Sequence, residues 1–348
     1  MKTLQISTLL VLASLASACG NQLVEFGLDG GDTAGGPPTV TATGPLNAAA
    51  NVSVNKRVSA TFSRMMAPAT LNSGSFTVQR GPTAIAGVVS YAGTTATFVP
   101  NLPLGLSLQY TATITTGAAD TLGRSLASNF VWSFTTGACS QAAVALGAAG
   151  NMAVLAGSTV TSTGPTAITG DLGLSPGTAT SVTGFPPGNL MGVQHAGDSA
   201  AAVALGDLTT AYNDAAGRTL CAMTVAGNLG GQTLTPGLYK STSSLAISSG
   251  DLTLDAQGDP DAVFIFQMAS TLTTTSGRKV ILSGGARAAN VFWQVGSSAT
   301  LGTTSVFQGT IMADQAITMA TGATLNGRAL ARVDGVFLDS NTIVKTAL

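Results

Sequence analysis

The chain has 348 residues, enough for two domains with cores; 45% of them are hydrophobic but only 8% charged, against roughly 25% in typical soluble domains. Fourteen Lys and Arg against fifteen Asp and Glu leave a formal net charge of −1, and no basic stripe offers a footprint for nucleic acid. One histidine and three cysteines leave little for metal or nucleophile chemistry, while abundant Val, Ile and Thr argue for an all-β exported protein rather than a disordered one.

Lys2 precedes the apolar run Leu9-Leu10-Val11-Leu12, and small residues then lead to Cys19. This charged, apolar and small-residue order reads as a secretory leader over 1–18, too short to remain as a membrane span. The segment "LASAC" resembles a bacterial lipobox, which makes Cys19 the lipidated first mature residue. Ordinary cleavage after Ala18, leaving a free thiol, is the other reading. Lipidation implies a membrane partner, reached through acyl chains. Gly20 is not the aspartate that retains bacterial lipoproteins at the inner membrane, so the expected location is the outer membrane or cell surface, with secretion as the alternative. Residues 19–38 are rich in glycine, lack periodicity and end in Pro37-Pro38, so they read as a flexible tether.

Residues 39–137 contain short alternating runs separated by turn residues. Val58, Ala60 and Phe62 alternate with polar neighbours, and so do Phe76 and Val78; Ala96-Phe98, Tyr110-Ala112-Ile114 and Trp132-Phe134 follow. The spacing predicts a β-sandwich of about 100 residues with Trp132 and Phe134 in its core. The stretches "NAAANVSVNKRVSATFSRMM", "ATFVPNLPL", "YTATITTGAADTLG" and "WSFTTG" resemble the bacterial Ig-like domain of surface proteins. The resemblance implies a spacer or adhesive module without a catalytic site.

Residues 142–348 repeat internally. Ala299-Thr300-Leu301-Gly302-Thr303 aligns with Ile317-Thr318-Met319-Ala320-Thr321 eighteen residues later, and the same offset aligns Gln308-Gly309 with Asn326-Gly327. A further nineteen-residue step reaches Val336-Phe337-Leu338-Asp339-Ser340, and Thr271-Leu272-Thr273-Thr274-Thr275 is an earlier copy before a longer insertion. Short strands with glycine corners at this period suit the coils of a β-solenoid. Because strands alternate, the apolar pair in Ala299-Thr300-Leu301 turns inward and the threonine outward. One segment departs from this: Ala201, Leu205, Leu208 and Tyr212 recur at helical spacing, with Asp198 as N-cap and Gly217 just past the end. An amphipathic helix over about 198–216 would lay this stripe on the side of the solenoid.

The segments "NMAVLAGSTVTSTGPTAITGDLGLSPGTATSVTGFPPG", "LGGQTLTPGLYK", "LTLDAQGDPDAVFIFQ", "NVFWQVGSSATLGT" and "GATLNGRALA" resemble, in this order, the microbial ice-binding protein family. The resemblance implies a right-handed discontinuous β-solenoid with one flanking helix, following the Ig-like sandwich. It further implies a non-catalytic protein without cofactor, acting as a monomer whose partner is the surface of an ice crystal. The outward threonines are the implied contacts: Thr273, Thr300 and Thr318 in one ladder, Thr303 and Thr321 in a second, and Thr324 at the following corner. Thr321-Gly322-Ala323-Thr324 is similar to a pattern on the active face of some relatives. Thr159 and Thr161 of the first coil join the same or a neighbouring face, and Phe337 stands where the register calls for a small polar residue.

Other constellations are sparse. Asp251, Asp255, Asp259 and Asp261 lack the spacing of an EF-hand loop and read as turn residues, and His195 has no companion ligands at metal spacing. Cys139 and Cys221 either form a disulfide tying the start of the domain to the segment after the helix or remain thiols. Ala288-Ala289 replace a cysteine common among relatives, so no pairing carries over from them. An enzyme of the solenoid type needs clustered carboxylates or basic residues in a groove, which the repeats do not supply. The competing reading is a surface adhesin or structural protein that binds glycan or protein.

Overall fold

The computed structural model describes residues 35–347; the leader, Cys19 and the tether up to residue 34 lie outside the described residues. The first β region is a sandwich of two sheets. Strands Val40–Gly44, Val58–Phe62, Thr95–Pro100 and Gly87–Ala92 form one sheet in that spatial order. The other holds Ala49–Val52, Phe130–Thr136, Gln109–Ile114, Phe76–Arg80 and Thr83–Ala84. The alternating residues fill the space between them: Val58, Phe62, Phe76, Phe98, Tyr110, Trp132 and Phe134 are all buried. Phe76 packs 5.9 Å from both Phe98 and Trp132, so rings from both sheets interlock.

The rest of the chain winds through parallel strands that outline three faces. Each coil contributes a strand to face A, then one to face B, then one to face C. The coil that begins with Val291–Val295, for example, continues through Ala299–Leu301 into Val306–Ala313. That last strand bends at Gly309, whose φ of 104° is open to glycine, and so runs from face C into face A of the next coil. The eighteen-residue offset is the register of pairing: Thr300 lies beside Thr318, Gln308 beside Asn326, and Ile311 beside Ala329. Inside, Tyr239, Phe266 and Trp293 stack on successive coils with ring centroids 5.1 and 4.0 Å apart. Such a stack holds the coil spacing near the strand repeat of about 4.8 Å.

The coils do not stack in chain order. The first coil, beginning with Met152–Ala156, pairs on one side with the second and on the other with the last, Val154 beside Ala329 and Val160 beside Val336. The chain therefore winds two coils, crosses to the far end and winds back until it meets its own start. Helix α1 (Ser199–Gly217) makes most of that crossing. Its 19 residues span roughly 28 Å, against roughly 38 Å for the about eight strand steps along face A, so short extended segments complete the distance.

The Asp198 carboxylate caps α1 by accepting from Ala201 N–H. The buried stripe is Ala201, Ala204, Leu208, Ala211 and Ala215, with Leu205 and Tyr212 at its edge. Small side chains let the helix lie close on Leu155, Leu238, Ile265, Phe292, Met312 and Leu330 of face A; of the expected stripe Ala201 and Leu208 are buried, Leu205 and Tyr212 are displaced sideways, and Tyr212 bonds Val295 O from there. Gly217 is the last helical residue rather than the one beyond it. The Gln267 amide reaches from face A and donates to the carbonyls of Ala215 and Arg218 at 2.5 and 2.8 Å, so no left-handed glycine is needed to close the helix. Cys139 and Cys221 are joined as a disulfide between the entry to the solenoid and the chain leaving the helix.

Candidate functional site

Face B carries the outward row of threonines. Its eight parallel strands follow the order Val182–Thr183, Val160–Thr163, Val336–Asp339, Ile317–Met319, Ala299–Leu301, Leu272–Thr274, Leu245–Ile247, Gly227–Asn228. Inward positions hold Val160, Val336, Leu338, Ile317, Met319, Ala299, Leu301, Leu272 and Leu245, all buried. Alternation then leaves one outward residue at the centre of each strand. Read across the sheet these are Thr183, Thr161, Phe337, Thr318, Thr300, Thr273, Ala246 and Asn228. Two residues ahead in each strand lies a parallel row that includes Thr159, Gly335, Ala316, Ser298 and Thr271.

The chemistry of this surface is neutral. Asp339 is the single ionisable residue in the eight strands. It sits at the edge, where its carboxylate accepts from the hydroxyl of Thr321 and, at 3.2 Å, from that of Ser340. The Thr321 hydroxyl is the main reason the Asp339 carboxyl is held below the usual aspartate value, with Ser340 and Thr163 adding to it against the opposing effect of burial. Among the described residues, no protein group takes up the hydroxyls of Thr161, Thr183, Thr273, Thr300 or Thr318. These five are free for solvent, on side chains whose β-branching fixes χ1. Parallel strands set those on adjacent strands about 4.8 Å apart, with Phe337 between Thr161 and Thr318, and outward residues along a strand lie about 6.6–6.8 Å apart. Face A lies under α1, and the corner loops between faces C and A carry the Ig-like domain.

That attachment uses the aspartates. Lys56 Nζ lies 2.9 Å from Asp259 Oδ1 and 3.5 Å from Asp261 Oδ2, and the backbone N–H of Arg57 donates to Asp261 Oδ2 at 3.1 Å. Ser53 adds a hydroxyl bond to Asp261 O at 3.0 Å, and Arg287 approaches the Asp261 carboxylate from the solenoid side. Asp255 accepts from the backbone N–H of Gln257 within its own turn, whereas Asp251 accepts from that of Lys279 on the neighbouring coil. His195 pairs with the helix cap Asp198 at 2.8 Å.

The expected site residues are thus partly gathered. Thr161, Thr273, Thr300 and Thr318 share the central row of face B. Thr159 stands in the flanking row, its hydroxyl turned inward to Ser181 O at 2.7 Å. Thr303 and Thr321 lie past the strands at the corner towards face C, Thr303 exposed and Thr321 engaged with Asp339. Thr324 belongs to face C, beside Val306 and Thr342. Thr183 was missed, although Val182-Thr183 repeats Val160-Thr161 after 22 residues and pairs with it.

Comparison with known proteins follows the same division of the chain. The bacterial Ig-like domain family matches residues 34–136, and the ice-binding-like family matches residues 154–344. An ice-binding protein of Nostoc sp. (strain HG1) is 47% identical over 212 residues, covering 61% of this chain and 77% of the relative. An ice-binding protein of Flavobacterium frigoris (strain PS1) is 41% identical, covering 58% and 75%. Among solved structures, an ice-binding protein from an Antarctic biological consortium superimposes with a TM-score of 0.58 at 62% identity, over 59% of this chain and 92% of the other. One from the Antarctic ascomycete Antarctomyces psychrotrophicus gives 0.57 at 41% identity, over 60% and 100%.

Proposed function

The chain belongs to the ice-binding-like family, and from that premise we propose that it adsorbs to ice through face B and thereby inhibits ice growth and recrystallisation. Ice presents neither a pocket nor a net charge, so attachment has to come from many small contributions over a plane. Threonine supplies a hydroxyl that joins the ordered water and a methyl that fits between its members. Rigid χ1 and a stacked core mean that little ordering is left to oppose binding. Anchored molecules then force the ice front to bulge between them, and growth on a curved front is unfavourable. The observation that carries this reading is the row Thr183, Thr161, Thr318, Thr300 and Thr273, with hydroxyls free on an uncovered sheet whose one ionisable residue, Asp339, lies at its edge. An ice-recrystallisation assay on the whole protein tests it: wild type should keep grains small, and Thr300→Tyr should let them coarsen. A folded wild type that leaves grain growth unchanged would refute it.

The reading extends to the cell. Cys19 holds the protein at the outer surface by its acyl chains. Thr39 enters the Ig-like sandwich beside Ser63, at the end of strand Val58–Phe62 opposite the Lys56–Arg57 attachment. Cys19→Ser should release the protein from the membrane fraction into the medium; continued sedimentation with membranes would remove the anchor from the account.

A further inference from the structure

Phe337 occupies the central row of face B between Thr161 of the first coil and Thr318. By sequence it interrupts the ladder. The placement of its ring gives it another part. A Cβ added at Gly335 would lie 2.9 Å from Phe337 Cζ and 2.7 Å from Thr159 Cγ2. Gly335 and Phe337 are two residues apart on one strand line, so both point outward, and such neighbours are separated by about 6.6–6.8 Å. For Cζ to rest above Gly335 the ring must lie along the strand, as strand side chains tend to lean, and not stand up from it. Gly335 is accordingly buried beneath it, and Phe337 itself is only partly exposed. Gly335 is absent from the left-handed region of backbone space, so its conformation makes no demand for glycine; the ring above it does, together with Thr159, whose carbonyl oxygen would lie 3.0 Å from an added Cβ.

We propose that Phe337 is an ice-contact residue, its ring lying over Gly335 as a flat apolar tile that fills two positions of the face B grid. The proposal rests on the reading of face B as the ice-binding surface. Two alternatives to a lying ring show what the tile does. A standing ring would hold the ice front away from the threonines on both sides. No ring at all would leave a trench at 335 and 337, where the Thr183–Thr161 pair would be cut off from Thr318, Thr300 and Thr273. A lying ring keeps the surface level and asks for no hydrogen bond, since its face is apolar. Thr159 completes the arrangement: its hydroxyl is fixed on Ser181 O, and its methyl is turned to the same space above Gly335. The tile also lies on the seam where the first coil meets the last, so it carries one continuous face across the break in chain order.

Thermal hysteresis of the whole protein tests this with four variants, each checked for folding by circular dichroism. Phe337→Ala opens the trench and should lower the activity. Gly335→Ala adds one methyl, lifts the ring and should lower it as well. In the Phe337→Ala background the same Gly335→Ala change meets only Thr159, so there it should lower activity less than it does in wild type, a dependence on the ring that crowding against Thr159 alone does not produce. Thr300→Tyr serves as control. If Thr300→Tyr abolishes activity while Phe337→Ala matches or exceeds wild type, the ring is an obstacle and this inference falls alone. If Thr300→Tyr is without effect, the assignment of face B falls and the inference with it. Should Gly335→Ala fail to fold, Phe337→Ala against wild type still decides.

Discussion

Arg328 offers a test of how the closed stack is held together. It lies on the strand that pairs with the first coil, and its side chain is 1% exposed. Nε donates to Gly150 O at 3.0 Å and one terminal nitrogen to Thr346 O at 2.8 Å; the other is 3.4 Å from Thr346 Oγ1. Among the described residues no carboxylate balances it, and burial pushes its pKa down to about 10. The guanidinium therefore stays charged at neutral pH and ties together the turn before the first coil, the last coil and the C-terminal segment. Arg328→Met keeps the apolar stem but orphans two backbone carbonyls, at about 1–3 kcal/mol each. Relief from burying a charge takes back part of this, leaving a net loss of about 2–4 kcal/mol. For a domain of this size that is a fall in melting temperature of roughly 5–15 °C. Calorimetry of wild type and variant under identical conditions measures it. An unchanged or raised melting temperature would show that the bonds do no more than offset the charge, and that the seam is held by strand pairing and packing alone.

Two further perturbations separate the parts of the account. Asp261→Ala removes the acceptor shared by Arg57 N–H, Lys56 and Arg287, and should split one cooperative melting transition into two as the Ig-like domain comes free. A single transition at the wild-type temperature would mean that the remaining contacts suffice to fix the sandwich. Cys19→Ser, read by membrane fractionation, tests the anchor independently of both.

The parts of this fold legible in the sequence are those that repeat at short range. Ala299-Thr300-Leu301 and Ile317-Thr318-Met319 declare their pairing because the same apolar, polar, apolar triplet recurs after eighteen residues and each coil rests on the next. The seam is not legible in that way. Val160-Thr161 pairs with Val336-Phe337, 176 residues away, and beyond the shared valine the side chains that meet there are unlike, so no offset in the sequence marks the contact. The helix is readable by its spacing and its Asp198 cap, and Ala201 and Leu208 of the expected stripe are buried; Leu205 and Tyr212 stand at its edge because close packing on a sheet favours Ala204, Ala211 and Ala215. Thr324 shows the limit of reading threonines as a class, since three residues and a corner separate it from Thr321 and turn it onto face C. Asp259 and Asp261 read as turn residues because their partners, Lys56 and Arg57, lie some 200 residues earlier.

The central claim is that face B is the surface that meets ice. Ice-plane affinity measures it most directly: fluorescently labelled protein is allowed to bind a single-crystal ice hemisphere, and the coated planes are recorded. Wild type should coat defined planes, and a Thr300→Tyr, Thr318→Tyr variant with unaltered circular dichroism and melting temperature should leave the hemisphere dark. A folded double variant that coats the same planes as wild type would contradict the account and move the ice-binding surface away from face B.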